Sequence, residues 1–114
     1  MKKKNKNANY LDKIPQRNEF VGWKCDENDI ITLEVENKGF FNKLFQLILK
    51  KPKISYIHLD KLGSFIWKEI NGELSVFEIG EKVKNTFKDE ANPLYERLCK
   101  YFDILKSYNF IQWK

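Results

Sequence analysis

Side chains that could carry acid–base or nucleophilic chemistry are few in this chain of 114 residues. Its one histidine is His58, and a lone histidine forms an acid–base pair only where the fold brings a distant carboxylate to it. Ser64 follows Gly63 without the spacing of a nucleophile elbow, and the sequence has no glycine-rich phosphate loop. We therefore predict a protein that is not an enzyme, in which His58 is structural or lies at the surface.

The two cysteines form neither a redox motif nor a metal motif. Cys25 and Cys99 are far apart, no CxxC pair occurs, and a second histidine that could complete a zinc site is missing. We expect both thiols to be reduced, as in a cytoplasmic protein. We expect no metal ion and no cofactor.

The backbone of one short segment is a better candidate for binding than any reactive side chain. Residues 53–59 follow Pro52 and lead directly into a predicted helix. We expect this segment to be a strand at the edge of a sheet, where unpaired N–H and C=O groups can accept another extended chain.

The elements that position this strand begin with a hairpin. Residues 20–25 and 30–36 are predicted strands joined by the turn-like residues 26–29. In the second strand Ile31, Leu33 and Val35 alternate with polar residues, as in a strand with one face buried.

An apolar segment at residues 40–50 separates the hairpin from the third strand. Its mixed helical spacing predicts a short amphipathic helix, which we interpret as a cover over the sheet rather than a membrane or partner contact. About 20 apolar residues are needed to span a membrane, and this segment is about half that length. No membrane span is predicted.

Two helices after the third strand have well-marked starts. Asp60 is the expected N-cap of a helix that runs through residue 70. Ser75 and Glu78 have the spacing of a capping box, so a second helix is expected to begin at residue 76.

A third long helix is expected near the end of the chain. Asn92 is its predicted N-cap and Pro93 its predicted first residue. The apolar stripe of this helix continues to about residue 108, and a short strand at residues 110–113 closes the chain.

Residues 54–113 resemble the PqqD-like proteins, which are recognition elements for ribosomally made peptides that are later modified. The resemblance lies mainly in YIHLDKLGSFIWKEING, residues 56–72, and in LSVFEIGEKV, residues 74–83. These are core and capping residues, so they specify the fold more strongly than the function.

The resemblance implies an α+β fold, with an N-terminal three-stranded antiparallel sheet packed on a winged-helix-like three-helix unit. Residues 1–12 are polar and lack periodicity, which predicts a flexible basic tail, and the single PqqD-like domain is expected at 13–114. Within that domain, residues 13–59 form the strand region with the inserted helix 40–50, and residues 60–114 form the trihelical unit with its short terminal strand.

The resemblance also implies a site. In such proteins the leader of a precursor peptide adds a strand to the third strand and packs against the third helix, without metal or cofactor. Carried onto this sequence, the peptide-binding residues are Lys53, Ile54, Ser55, Tyr56, Ile57, His58, Arg97, Lys100, Tyr101, Ile104 and Leu105. The segment 40–51 departs from the shortest family members, and it could cover or narrow this groove.

The function so implied is that of a non-catalytic chaperone, which binds the leader and presents the precursor to a separate modifying enzyme. A radical SAM enzyme is one class of partner. A scaffold subunit that forms stable oligomers through the 40–49 segment is another hypothesis, and the sequence leaves open whether the protein is a homodimer.

A winged-helix DNA-binding regulator is the alternative function, since three helices followed by a strand can also read a major groove. Charge argues against it. Residues 1–53 carry 12 − 7 = +5 and residues 54–114 carry 9 − 9 = 0. The candidate recognition helix has three basic residues (Arg97, Lys100 and Lys106) and two acidic ones (Glu96 and Asp103), a net of 3 − 2 = +1, whereas nucleic-acid binders concentrate positive charge where they touch phosphate.

Overall fold

The computed structural model describes residues 10–36 and 54–114. The start of the expected tail, the expected helix at 40–50 and Lys53 lie outside the described residues. The elements in chain order are β1 (Pro15–Arg17), β2 (Gly22–Cys25), β3 (Ile31–Glu36), β4 (Ile54–His58), α1 (Lys61–Glu69), α2 (Val76–Phe87), a 3-10 helix (Lys88–Ala91), α3 (Leu94–Ser107) and β5 (Ile111–Trp113). Among these residues, no helix has the length and apolar character needed to cross a membrane.

The sheet and the three helices confirm the predicted α+β fold. Strands β2, β3 and β4 form an antiparallel sheet with β3 in the centre. Ile31 and Leu33 on β3 are fully buried, as their alternation predicts. The amide of Ile31 donates to Oγ of the buried Ser64 at 2.8 Å, which fixes α1 against the sheet. The likeness of the helical unit to a winged helix stays a prediction.

The predicted starts of α1 and α2 are both confirmed. The Asp60 side chain accepts a hydrogen bond from the amide of Gly63 at 2.7 Å. At the start of α2 the Ser75 hydroxyl accepts from the amide of Glu78 at 3.1 Å, and the Glu78 carboxylate accepts from the amide of Ser75 at 2.8 Å. Both caps satisfy amides that a first helical turn leaves without partners.

The predicted start of α3 is wrong by one residue. Pro93 is the N-cap rather than the first helical residue, and no side chain caps the helix. Asn92 instead closes the preceding 3-10 helix, since its amide donates to the carbonyl of Asp89 at 3.1 Å. The Asn92 side chain also bonds to Asp89, at 3.4 Å, so it is not used for α3.

A second, two-stranded sheet was not predicted. β1 pairs with β5 in antiparallel register, from Pro15 opposite Trp113 to Arg17 opposite Ile111. Just before β1, the ring of Tyr10 packs edge-on against the ring of Trp113, with centroids 5.5 Å apart. The chain is therefore in contact with the domain from Tyr10 onward, inside the segment that was expected to be a flexible tail.

Two glycines let α3 lie close to the other helices. A Cβ at Gly80 on α2 would lie 2.7 Å from Cε1 of Tyr95, and one at Gly63 on α1 would lie 3.3 Å from Cε1 of Tyr101. The Tyr95 ring thus occupies space that a side chain at Gly80 would fill, while at Gly63 the nearest atom is Oδ1 of the capping Asp60, at 2.9 Å. This close approach places α3 beside both the start of α1 and the end of β4.

Candidate functional site

Strand β4 has one edge without a partner strand in the described part of the chain. It pairs with β3 on one side, in a register that runs from Thr32 opposite His58 to Glu36 opposite Ile54. The sheet order β2-β3-β4 leaves its other side open. The expectation that the third strand is an edge strand therefore holds for the residues that the structure describes.

One hydrogen bond shows the backbone parity of β4, that is, which of its N–H and C=O groups face β3 and which face the open edge. The amide of Leu59 donates to the carbonyl of Ile31 at 2.9 Å, and these two residues stand opposite each other in the β3–β4 register. Opposed residues in an antiparallel ladder alternate between hydrogen-bonded and non-hydrogen-bonded pairs. The next hydrogen-bonded pairs are therefore Ile57 with Leu33 and Ser55 with Val35.

The intervening residues of β4 direct their backbone groups away from β3. The N–H and C=O groups of Ile54, Tyr56 and His58 point to the open edge. The pairing of β3 with β2 is consistent with this. The amide of Asp26 donates to the carbonyl of Ile30 at 3.0 Å, so the backbone groups of the even-numbered residues of β3 point to β2 and those of the odd-numbered residues point to β4. Among residues 10–36 and 54–114, no strand pairs with these three outward sets of donors and acceptors.

The side chains of β4 divide between the two faces of the sheet. Ile54 and Tyr56 are 43% and 61% exposed, whereas Ser55 and Ile57 are half-buried on the face that packs against the helices. His58 is exposed, as expected, and its Nδ1 lies 2.8 Å from Oγ1 of Thr32.

The helix part of the predicted site forms one side of a cavity of about 240 Å³ between α1 and α3. Four predicted residues line it together, namely Arg97, Lys100, Tyr101 and Ile104. The residues of β4 do not line the cavity, but Asp60, two positions after that strand, does. The structure thus brings the α3 residues together at one end of the β4 edge.

Two predicted contacts, Leu105 and Tyr101, help to hold the fold together. Leu105 is only 3% exposed and belongs to the core, so the prediction that it contacts a peptide does not fit its burial. Tyr101 donates its hydroxyl hydrogen to the carbonyl of Gly63 at 2.8 Å, which joins α3 to α1. It is a wall of the cavity whose polar group is already bonded.

Burial raises the pKa of the Tyr101 hydroxyl above its usual value, and the neighbouring charge of Asp60 raises it further. A raised folded-state pKa means that the contribution of Tyr101 to stability is complete below about pH 10 and is lost as the pH rises above it. Tyr101→Phe should therefore weaken the fall in stability above pH 10, because Phe has no proton to lose. Urea midpoints between pH 8 and pH 11.5 test this, and parallel curves for parent and variant would contradict it.

An aromatic surface near the other end of the edge was not predicted. Phe20 and Tyr108 are 88% and 66% exposed, and the Tyr108 ring stacks on Phe110 with centroids 5.5 Å apart. They line a cavity of about 560 Å³ that also includes Val35 and Glu36, at the end of β3. Glu36 stands opposite Ile54, so this surface lies near the start of β4. Phe20 was expected to begin the strand at 20–25, but β2 begins at Gly22, which leaves Phe20 outside the sheet.

Comparison with known proteins gives one match. The family model described as coenzyme PQQ synthesis protein D (PqqD) matches residues 46–111, which is more than half of the chain. The matched region includes β4 and the three helices. No curated protein and no solved structure matches significantly.

Proposed function

The chain belongs to the PqqD family, and from that premise we propose that it binds the leader of a ribosomally synthesised precursor peptide by strand addition and presents it to a separate modifying enzyme. Members of this family are non-catalytic accessory proteins that bind precursor peptides. A radical SAM enzyme is a suitable class of partner for the modification step. The chain itself would supply binding and orientation only.

The open edge of β4 is the observation that carries this proposal. An edge strand offers main-chain groups to another chain unless charge or a bulge protects it. β4, with the sequence ISYIH, contains no Lys, Arg, Asp or Glu. The opposite edge strand β2 carries Lys24, which pairs with Glu34 at 3.4 Å. Of the two edges of this sheet, β4 is therefore the one suited to accept a peptide.

Strand addition at β4 would use the three outward backbone positions. The peptide would exchange N–H and C=O bonds with Ile54, Tyr56 and His58, which span about 13 Å at about 3.3 Å per residue. A peptide segment of about five residues covers this length. Its alternate side chains would point toward α3, where Ile104 and Lys100 would meet them, while the others would lie beside Tyr56 on the open face.

Amide hydrogen exchange tests the proposal one residue at a time. Random dodecapeptides displayed on phage would first be enriched on the immobilised protein, and the best binder synthesised. On binding, exchange at the amides of Ile54, Tyr56 and His58 should slow, because each gains an acceptor. The amides of Ser55 and Ile57 already bond to β3 and should change less. Protection that spares all three outward amides would overturn strand addition at this edge.

A further inference from the structure

The cavity between α1 and α3 has a size suited to a side chain. At about 240 Å³ it is smaller than the roughly 300–1,000 Å³ of sites for drug-sized molecules. Its floor and walls are mostly aliphatic, formed by Leu62, Ile66, Ala91, Leu94, Leu98 and Ile104. Such a cavity favours one bulky apolar group that enters from an extended chain.

The rim of the cavity is positively charged. Lys100 is exposed and forms no ion pair with any residue that the structure describes. Arg97 is also exposed, and its guanidinium donates to the carbonyl of Glu90 at 2.9 Å. Asp60, the one acidic residue of the lining, already accepts the amide of Gly63 at 2.7 Å. The charged side chains of the lining are thus two cations and one anion, a net of 2 − 1 = +1, and Lys100 is the cation without a partner among the described residues.

The acidic neighbours of Lys100 on its own helix do not line this cavity. Glu96 and Asp103 line a different cavity, and the Asp103 carboxylate accepts the hydroxyl of Tyr10 at 2.8 Å. Lys100 lines both cavities. Its ammonium group can therefore turn toward a carboxylate at the apolar cavity.

We propose that this rim makes the protein selective for peptides in which an Asp or Glu stands two residues from a bulky apolar anchor. Residues i and i+2 of an extended chain point to the same face, about 6.6 Å apart. An anchor in the cavity would thus bring its neighbour's carboxylate to Lys100. The inference rests on the proposed strand addition, and it names the chemistry of the peptide at that site.

Charge reversal with a matched control tests the proposal. Random dodecapeptides on phage would be selected on the parent protein, on Lys100→Glu and on Lys106→Glu. Lys106 is an exposed lysine of the same helix that does not line the cavity. Peptides from the parent should carry the acidic residue, and they should lose about tenfold in affinity on Lys100→Glu at low salt, because an attraction becomes a repulsion. The loss should shrink at high salt and be below about twofold on Lys106→Glu.

The outcomes separate the selectivity from the proposed function. Peptides selected on Lys100→Glu should carry Lys or Arg in place of the acidic residue. The peptides selected on the parent could bind through the β4 edge and yet show no preference for an acidic residue, or bind both variants equally weakly. Either result would overturn the selectivity and leave strand addition intact. A selection in which no peptide binds the parent, or in which binding does not depend on the β4 edge, would overturn both.

Discussion

Tyr56→Pro should leave the protein folded and weaken its binding of an extended peptide at least about tenfold, whereas Ser55→Pro should destabilise the fold itself. Proline removes the backbone N–H. At Ser55 that donor points to Val35 on β3, and its loss leaves a half-buried acceptor unpaired, at a cost of about 1–3 kcal/mol. At Tyr56 the donor points to the open edge, where proline is tolerated but an incoming strand loses a bond.

Two control variants separate this backbone effect from others. Tyr56→Ala removes the same side chain and keeps the N–H, so it should bind a phage-selected peptide better than Tyr56→Pro does. Cys25→Pro removes an outward N–H from β2, the other edge of the sheet, and should leave peptide binding unchanged. Thermal melts and calorimetric titrations measure both properties. If Ser55→Pro and Tyr56→Pro both fold and bind as the parent does, β4 is not the docking edge.

This parity could not be predicted from the sequence. The alternation of Ile31, Leu33 and Val35 predicts which side chains of β3 are buried, because successive side chains of a strand point to opposite faces of the sheet. Which amides of β4 point outward depends on its register against β3, and a shift of one residue exchanges the inward and outward sets. That register involves residues distant in sequence, and the structure shows it in the β3–β4 pairs and in the Leu59–Ile31 hydrogen bond.

The start of a helix could be predicted from sequence where the capping residue has only one nearby hydrogen-bonding role. Asp60 and Ser75 each bond an amide three residues ahead, so the cap is contained in four consecutive residues. Asn92 has two local uses, as a cap for α3 or as the end of the 3-10 helix, and the second one occurs. The β1–β5 pair joins residues 15–17 to residues 111–113, which are distant in sequence, so no local pattern indicated it.

The residues of α3 also show that sequence patterns do not determine contacts between distant segments. Helical periodicity places Tyr101, Ile104 and Leu105 on one apolar stripe, and all three were predicted to contact the peptide. Packing against α1 then divides the stripe, because Leu105 turns into the core while Ile104 remains 47% exposed. The sequence therefore predicts which residues form the apolar stripe. Which of them are buried and which stay exposed depends on how α3 packs against α1.

Phe102→Ala and Ile104→Ala should therefore separate stability from binding, although the residues are two positions apart. Phe102 is fully buried, and its ring centroid lies 6.1 Å from that of Trp113 on β5. Truncating a buried Phe costs about 3–5 kcal/mol. Domains of this size are commonly stable by about 5–15 kcal/mol, so Phe102→Ala should remove a large fraction of the stability and lower the denaturation midpoint strongly.

Ile104→Ala removes surface from the cavity and little from the core. Because nearly half of Ile104 is exposed, we expect its truncation to cost below about 1 kcal/mol of stability. A peptide side chain that packs on Ile104 would lose about 1 kcal/mol of apolar contact, equal to about fivefold in affinity. Urea denaturation and calorimetry with a phage-selected peptide measure the two effects. If Ile104→Ala keeps parental affinity, this face of α3 is not part of the peptide site.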